Sequence, residues 1–257
     1  TGVGSSSPYG VSQLNANRKC GHNFVQYLNK YPADIAATIP HASDKGNLGN
    51  RYRAWAVTGD VEYNLDDITL TSVINYNWNK NRFRSDGDFV APNLTIPTAD
   101  PTEVTSFRAF SAEARALTSF DSPINALFGA YYQKTRRQYN IWTMSGRAEN
   151  SAAPQGLRYL AVTKDSETKG ETVALFGQVI WKILPQLEAT GGVRYTHETK
   201  DSYFVEPYAH PTFVALQRFK PNDFVRADQT FTDWSPEVTL TYKPTQDITI
   251  YGAYKTA

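Results

Sequence analysis

The stretch from Glu171 to Lys200, ETVALFGQVIWKILPQLEATGGVRYTHETK, permits few folds. In its second half Leu187, Ala189, Gly191, Val193 and Tyr195 fall on one parity, and Glu188, Thr190, Arg194, Thr196 and Glu198 on the other. A period of two is the mark of a strand, because successive side chains point to opposite faces of a sheet. Leu184-Pro185-Gln186 makes a tight connection to the strand before it. The stretch therefore reads as an antiparallel hairpin with one apolar and one charged face. A soluble sheet turns the apolar face to a core and solvates the other. A membrane barrel turns it to lipid and encloses water with the charged face. The hairpin alone fits both.

The rest of the chain repeats the cycle. Trp55, Val57, Gly59, Val61 and Tyr63 alternate with Ala56, Thr58, Asp60 and Glu62. Asn64-Leu65-Asp66-Asp67 has the residues of a turn. Ile68, Leu70, Ser72, Ile74, Tyr76 and Trp78 then form the apolar parity of a second strand. After a polar stretch at 81–104, Phe110, Ala112, Ala114 and Ala116 alternate with Ser111, Glu113 and Arg115. A turn at Phe120-Asp121-Ser122-Pro123 leads to a strand from Ile124 to about Arg137 that carries Phe128, Ala130 and Tyr132 on one face. Residues 138–170 and 204–230 read as two further long connections. Trp234, Pro236, Val238, Leu240 and Tyr242, a turn at 243–247, and Ile248, Ile250, Gly252 and Tyr254 complete the pattern.

These segments predict eight strands whose connections alternate strictly between short turns and long loops. Sandwiches follow no such rule. Outer-membrane barrels do, with short periplasmic turns and long extracellular loops. Aromatics agree: Tyr63, Trp181 and Tyr242 sit beside the short turns, and Trp55, Trp78, Tyr132 and Trp234 toward the long loops. Two such belts flanking an apolar band belong at the two interfaces of a membrane. The expected fold class is all-β, an antiparallel transmembrane β-barrel. Residues 1–50, which lack sustained periodicity, read as an extracellular loop segment, and 51–257 as part of the barrel.

Composition excludes other classes. With 257 residues, a net charge of +1 and a mean hydropathy of -0.49, the chain offers no bulk charge for nucleic acid and no apolar run long enough for a membrane helix. Cys20 is the only cysteine, so no disulfide framework or cysteine metal site can form within the chain. His22, His41, His197 and His210 are scattered, with no carboxylate at metal-ligand spacing. There is no nucleophile elbow, phosphate-binding glycine loop or zincin motif. Neither catalytic nor metal-binding residues are expected, and no cofactor.

At these hairpins the sequence resembles TonB-dependent outer-membrane receptors. The residues that carry the likeness are Ser111–Ser119 (SAEARALTS), Phe128–Gln133 (FGAYYQ) and Ala174–Gln178 (ALFGQ). Further on come Thr190–Tyr195 (TGGVRY), Ser235–Tyr242 (SPEVTLTY) and Ile250–Lys255 (IYGAYK). Such receptors close at about 22 strands around a plugged lumen. The resemblance thus implies that eight strands are roughly a third of a barrel, with plug domain and C-terminal strands absent. Alone they should form an open sheet with two unpaired edges. It also implies the cell outer membrane of a Gram-negative bacterium as location, and active uptake of a large, scarce solute, by default a ferric siderophore. The implied partners are outer-membrane lipid and the TonB energy-transducing system.

Glu113, Arg115, Glu188, Arg194, Glu198 and Glu237 share the polar parity and are expected on the lumen wall. Arg82, Arg84, Arg136, Arg137, Tyr139 and Trp142 gather basic and aromatic character near the long loops. They are expected to form an extracellular rim that focuses an anionic ligand, with lipid phosphate as the competing occupant. A passive porin, a soluble β-sandwich binding module and an outer-membrane hydrolase are the alternative readings.

Overall fold

Why do these segments pair in sequence order? A strand cannot satisfy its own backbone groups, and the element next in the chain is the partner reached at least entropic cost, so neighbours in sequence become neighbours in space. In the computed structural model, which describes residues 36, 46–85, 101–144, 149–214 and 220–256, they form one antiparallel sheet. Its strands are β1 (Gly49–Leu65), β2 (Ile68–Arg84), β3 (Pro101–Thr118), β4 (Ile124–Met144), β5 (Leu160–Leu184), β6 (Leu187–Ala209), β7 (Phe224–Tyr242) and β8 (Ile250–Lys255). Each pairs only with its neighbours, and β1 does not meet β8: the sheet is open.

The turns are as the local chemistry requires. Asp66 takes φ 41° between β1 and β2, a left-handed conformation that Asp tolerates. Between β3 and β4 the Asn125 side chain accepts from the Phe120 amide at 2.7 Å and from the Thr118 hydroxyl at 2.9 Å.

The long connections are shorter than the sequence pattern suggests. Strand β2 runs to Arg84 rather than ending near Lys80, β4 continues to Met144 and β5 begins at Leu160. Likewise β6 persists to Ala209 and β7 starts at Phe224. Beyond the aromatic belts polar and apolar residues mix on both faces, so the period-two apolar signal fades while the backbone ladder continues. Of the first fifty residues only 36 and 46–50 are described, so most of the expected extracellular loop segment, Cys20 included, lies outside the described residues. Ala36 is buried against Met144 and Leu160, with Leu48, Trp142 and Tyr208 packed around them, at the long-loop ends of β4 to β6.

The register carries the apolar parity across the whole sheet. Trp55 faces Trp78, Tyr132 faces Val173, Tyr195 faces Trp234 and Val238 faces Tyr254. Within the apolar band this face is open: Val193 is 41% exposed, Leu240 49% and Ile250 58%, and among the described residues no second layer lies over them. On β7 the apolar Pro236, Val238, Leu240 and Tyr242 are exposed while Ser235, Glu237, Thr239 and Thr241 between them are half-buried. That inverts the soluble pattern, because side chains on the polar side crowd and shield one another.

The sheet's tilt can be read from the same register. Toward the long loops the unbroken apolar run of each strand ends at Trp55, Trp78, Phe110, Tyr132, Val173, Tyr195 and Trp234. From strand to strand this line drops two residues at β2–β3, β3–β4 and β5–β6, and none at the other three junctions. Six residues over six junctions is one per strand. At about 3.4 Å per residue and about 4.8 Å between strands, a level line then requires a tilt of about 35°. That is within the 35–45° of transmembrane barrels. From Trp55 to Tyr63, Leu70 to Trp78 and Trp234 to Tyr242 the band is eight residue steps tall. This is about 27 Å along a strand and about 22 Å after tilting, close to the roughly 25 Å apolar band of such barrels.

Two glycines fit their partners closely. Phe128 pairs with Gly177 and Gly129 with Phe176, so each strand lays a ring over the other's glycine, on opposite faces. A Cβ at Gly129 would run into the Phe176 ring, and one at Gly177 would come within 3.3 Å of Phe128.

Candidate functional site

Alternation places Glu113, Arg115, Glu188, Arg194, Glu198 and Glu237 on the polar face together, since their register partners are also polar-parity residues. Arg115 lies in the row Gly129–Phe176–Arg194, and Glu198 faces Thr172. Most charges there have a partner. Arg115 lies 3.7 Å from Glu113, Lys200 3.0 Å from Glu198 and Lys255 2.8 Å from Glu237. These pairs are partly hydrated and lend the sheet little stability. Their effect is a polar face of mixed sign.

Cations also lie over rings on this face. The Arg194 guanidinium sits 5.3 Å from the Tyr131 centroid and 5.5 Å from that of Phe176. Lys200 lies 5.6 Å above Phe231 and Lys164 5.9 Å above Phe204. Cation–π attraction holds each head at the ring face. The wall is therefore amphipathic rather than merely charged.

The six rim residues do not form one site. Arg82, Arg84, Arg136 and Trp142 continue the apolar parity of Trp78 and Tyr132, whereas Arg137 and Tyr139 continue the polar parity. A ladder of extended strand separates the two groups, because the residues lie on strands rather than on free loops. Trp142 packs toward the small cluster of Ala36, Met144 and Leu160. Arg84 is buried.

On the apolar-face side, above the upper aromatics, Glu167 organises a node that the sequence reading missed because it took 138–170 for a loop. Its carboxylate accepts from Arg136 Nε at 2.8 Å and Gln138 Nε2 at 2.9 Å, and lies 3.3 Å from Lys169 Nζ. Burial alone would raise its pKa, but the hydrogen bonds from Arg136, Lys169 and Gln138 outweigh it and hold the carboxyl below its ordinary value. On the polar-face side, burial raises the Tyr139 hydroxyl, helped by the charge of Glu103 and a hydrogen bond to it.

Among the described residues no group of three or more His, Cys, Asp or Glu is placed to hold a metal ion. No described helix is long and apolar enough to cross a membrane, which says nothing about strands.

Comparison with known proteins completes the description. The family model described as "TonB dependent receptor-like, beta-barrel" matches residues 4–257. No curated protein matches the chain. Among solved structures it is similar to the ferric yersiniabactin uptake receptor of Yersinia pestis, with 16% identity and a TM-score of 0.61 over 80% of this chain and 28% of that one. The siderophore receptor of Acinetobacter baumannii matches with 16% identity and a TM-score of 0.54, over 80% and 32% of the two chains. The ferric-catecholate import receptor of E. coli K12, in its open form, matches with 12% identity and a TM-score of 0.52, over 80% and 35%. The chain thus spans about a third of the solved proteins it matches, and at these identities the likeness concerns the fold.

Proposed function

Because the chain belongs to the TonB-dependent receptor-like β-barrel family, whose members are outer-membrane transporters rather than enzymes, we propose that it forms part of the wall of a receptor that actively imports a large, scarce solute. Energy comes from the TonB system of the inner membrane, and the default solute is a ferric siderophore. The observation that carries this reading is the inversion of the sheet, with its apolar face open and its polar face crowded and charge-paired. That is what a lipid exterior and a wet interior require.

On this reading the solute moves past the polar face. Cation-over-ring stations such as Arg194 on Tyr131 and Phe176 offer an aromatic or anionic iron ligand both stacking and charge. Of the six rim residues, Arg137 and Tyr139 are the pair that meets solute at the extracellular mouth, because they share the polar parity. The outward Arg82, Arg84 and Arg136 are withdrawn from that role.

The test uses the complete receptor in cells at limiting ferric siderophore. Uptake should vanish when TonB is removed, and Arg137→Ala should slow it severalfold, while Arg136→Ala leaves it unchanged. Uptake that persists without TonB would identify a passive porin instead. Equal effects of the two substitutions would remove the assignment of the mouth.

A further inference from the structure

The upper half of β2 carries four asparagines on the polar parity, Asn75, Asn77, Asn79 and Asn81. Asparagine is among the residues that strands disfavour, so the sheet itself gives no reason for four at alternate positions. They repeat about every 7 Å and together span about 20 Å. Small side chains flank them, Ala54 and Ala56 on β1 and Ala109 on β3, so the amides form a rail that can be approached from either side. Asn77 Nδ2 donates to Asn75 Oδ1 at 3.2 Å, and Asn75 Nδ2 donates to Thr58 Oγ1 at 2.7 Å. Asn81 Oδ1 is enclosed with no hydrogen-bond partner among the described residues, an acceptor left unsatisfied at the upper end of the rail.

The surroundings are neutral as well. Thr58, Asn75, Ser111, Gln133 and Thr172 stand in one row across β1 to β5, and the first charge in that row is Glu198 on β6. The row of Asn77 likewise meets no charge before Lys200. Two residues below Thr58 and Ser111 the wall turns ionic, with Asp60 and Glu113. Toward the long loops rings appear instead, Phe107 beside Asn79 and Tyr52 beside Asn81. A wall that had only to hold water could carry ion pairs here, as it does at Glu198 with Lys200 and Glu237 with Lys255. The amides therefore call for a ligand that charge does not serve.

We propose that this rail binds an uncharged oligosaccharide, laid along β2 with its hydroxyls on the amides and a sugar face against Phe107 and Tyr52. Each amide brings a carbonyl acceptor and an NH2 donor on one short arm, matching neighbouring hydroxyls that each donate and accept. The rings supply the flat apolar contact that the C–H face of a sugar can cover. A charged ligand finds no counter-charge along the rail and gives up hydration without compensation. The site goes beyond the iron carrier of the proposed function, and it rests on the reading that the polar face encloses water.

The test is made on the complete receptor, purified in neutral detergent. Isothermal titration calorimetry would compare maltohexaose, cellohexaose and chitohexaose with hexagalacturonate, a charged chain of the same length. At least one neutral hexasaccharide should bind saturably, and at least about tenfold more tightly than hexagalacturonate. The Asn77→Leu, Asn79→Leu double variant should weaken that binding at least about tenfold, and Asn77→Gln, Asn79→Gln should retain it. Heat-modified gel mobility reports folding separately, and Asn79→Ala takes the place of the Leu pair if that barrel fails to fold. Absence of binding by every neutral chain, equal binding of hexagalacturonate, or unchanged binding once the amides are removed would overturn the proposal. TonB-independent uptake together with intact saccharide binding would count against the transport reading alone.

Discussion

Ile74 and Val73 are neighbours on β2 that should respond oppositely to the same substitution. Ile74 stands at mid-height of the apolar face, four residues from Leu70 and four from Trp78, and is 49% exposed. Four steps are about 14 Å along the strand, or about 11 Å perpendicular to each interface at a tilt of about 35°. An Arg there is too deep to reach either interface with ease, and Ile74→Arg should cost about 2–4 kcal/mol. That is roughly a 30- to 1000-fold drop in the folded-to-unfolded ratio. At the lower interface Leu70→Arg should cost about 0–1 kcal/mol. Val73 faces the other way, with Asp60 and Glu113 as its register partners on either side. An Arg between two carboxylates on a hydrated wall should change stability by no more than about 1 kcal/mol. The assay is urea unfolding of the complete barrel in lipid vesicles, followed by tryptophan fluorescence. A cost for Ile74→Arg no greater than for Leu70→Arg, or as large for Val73→Arg, would refute the assignment of faces.

Two further outcomes can be measured on the same material. Because the Glu167 pKa is lowered on folding, its contribution is complete above the ordinary carboxylate range and is lost as pH falls through the folded value. Protection from hydrogen exchange at the long-loop ends of β4 and β5, taken relative to the intrinsic rate at each pH, should therefore hold from about pH 7 to about pH 5 and fall below about pH 4, and Glu167→Gln should flatten that dependence. Gly129→Val would push Phe176 away from Arg194, costing about 1–3 kcal/mol in the urea titration; unchanged stability would show that the ring is free to swing.

Much of the fold was legible because the apolar band imposes strict alternation. The runs from Trp55 to Tyr63 and from Trp234 to Tyr242 locate strands, belts and short turns without any knowledge of contacts. The strand extensions were not legible. Residues 81–84 and 138–144 mix polar and apolar side chains without a period of two, so nothing in the sequence distinguishes a ladder from a loop there. The face of the rim residues could have been found by counting onward. Lys80, Arg82 and Arg84 keep the parity of Trp78, and Arg136 that of Tyr132, whereas Arg137 does not. The Glu167 node could not, since its link to Arg136 and Gln138 depends on the β4–β5 register, which alternation alone leaves undetermined.

The reciprocal fit of Phe128 over Gly177 and Phe176 over Gly129 has a consequence for assembly. A slide of one residue between these strands would turn every charged side chain toward hydrocarbon, which the membrane itself forbids. A slide of two keeps the faces and would otherwise pass unnoticed. It would, however, bring Phe176 opposite Tyr131 or Leu127, bulk against bulk where a hydrogen atom now makes room. The two dipeptides act as a keyed joint, and a growing wall that reaches them has one seating left.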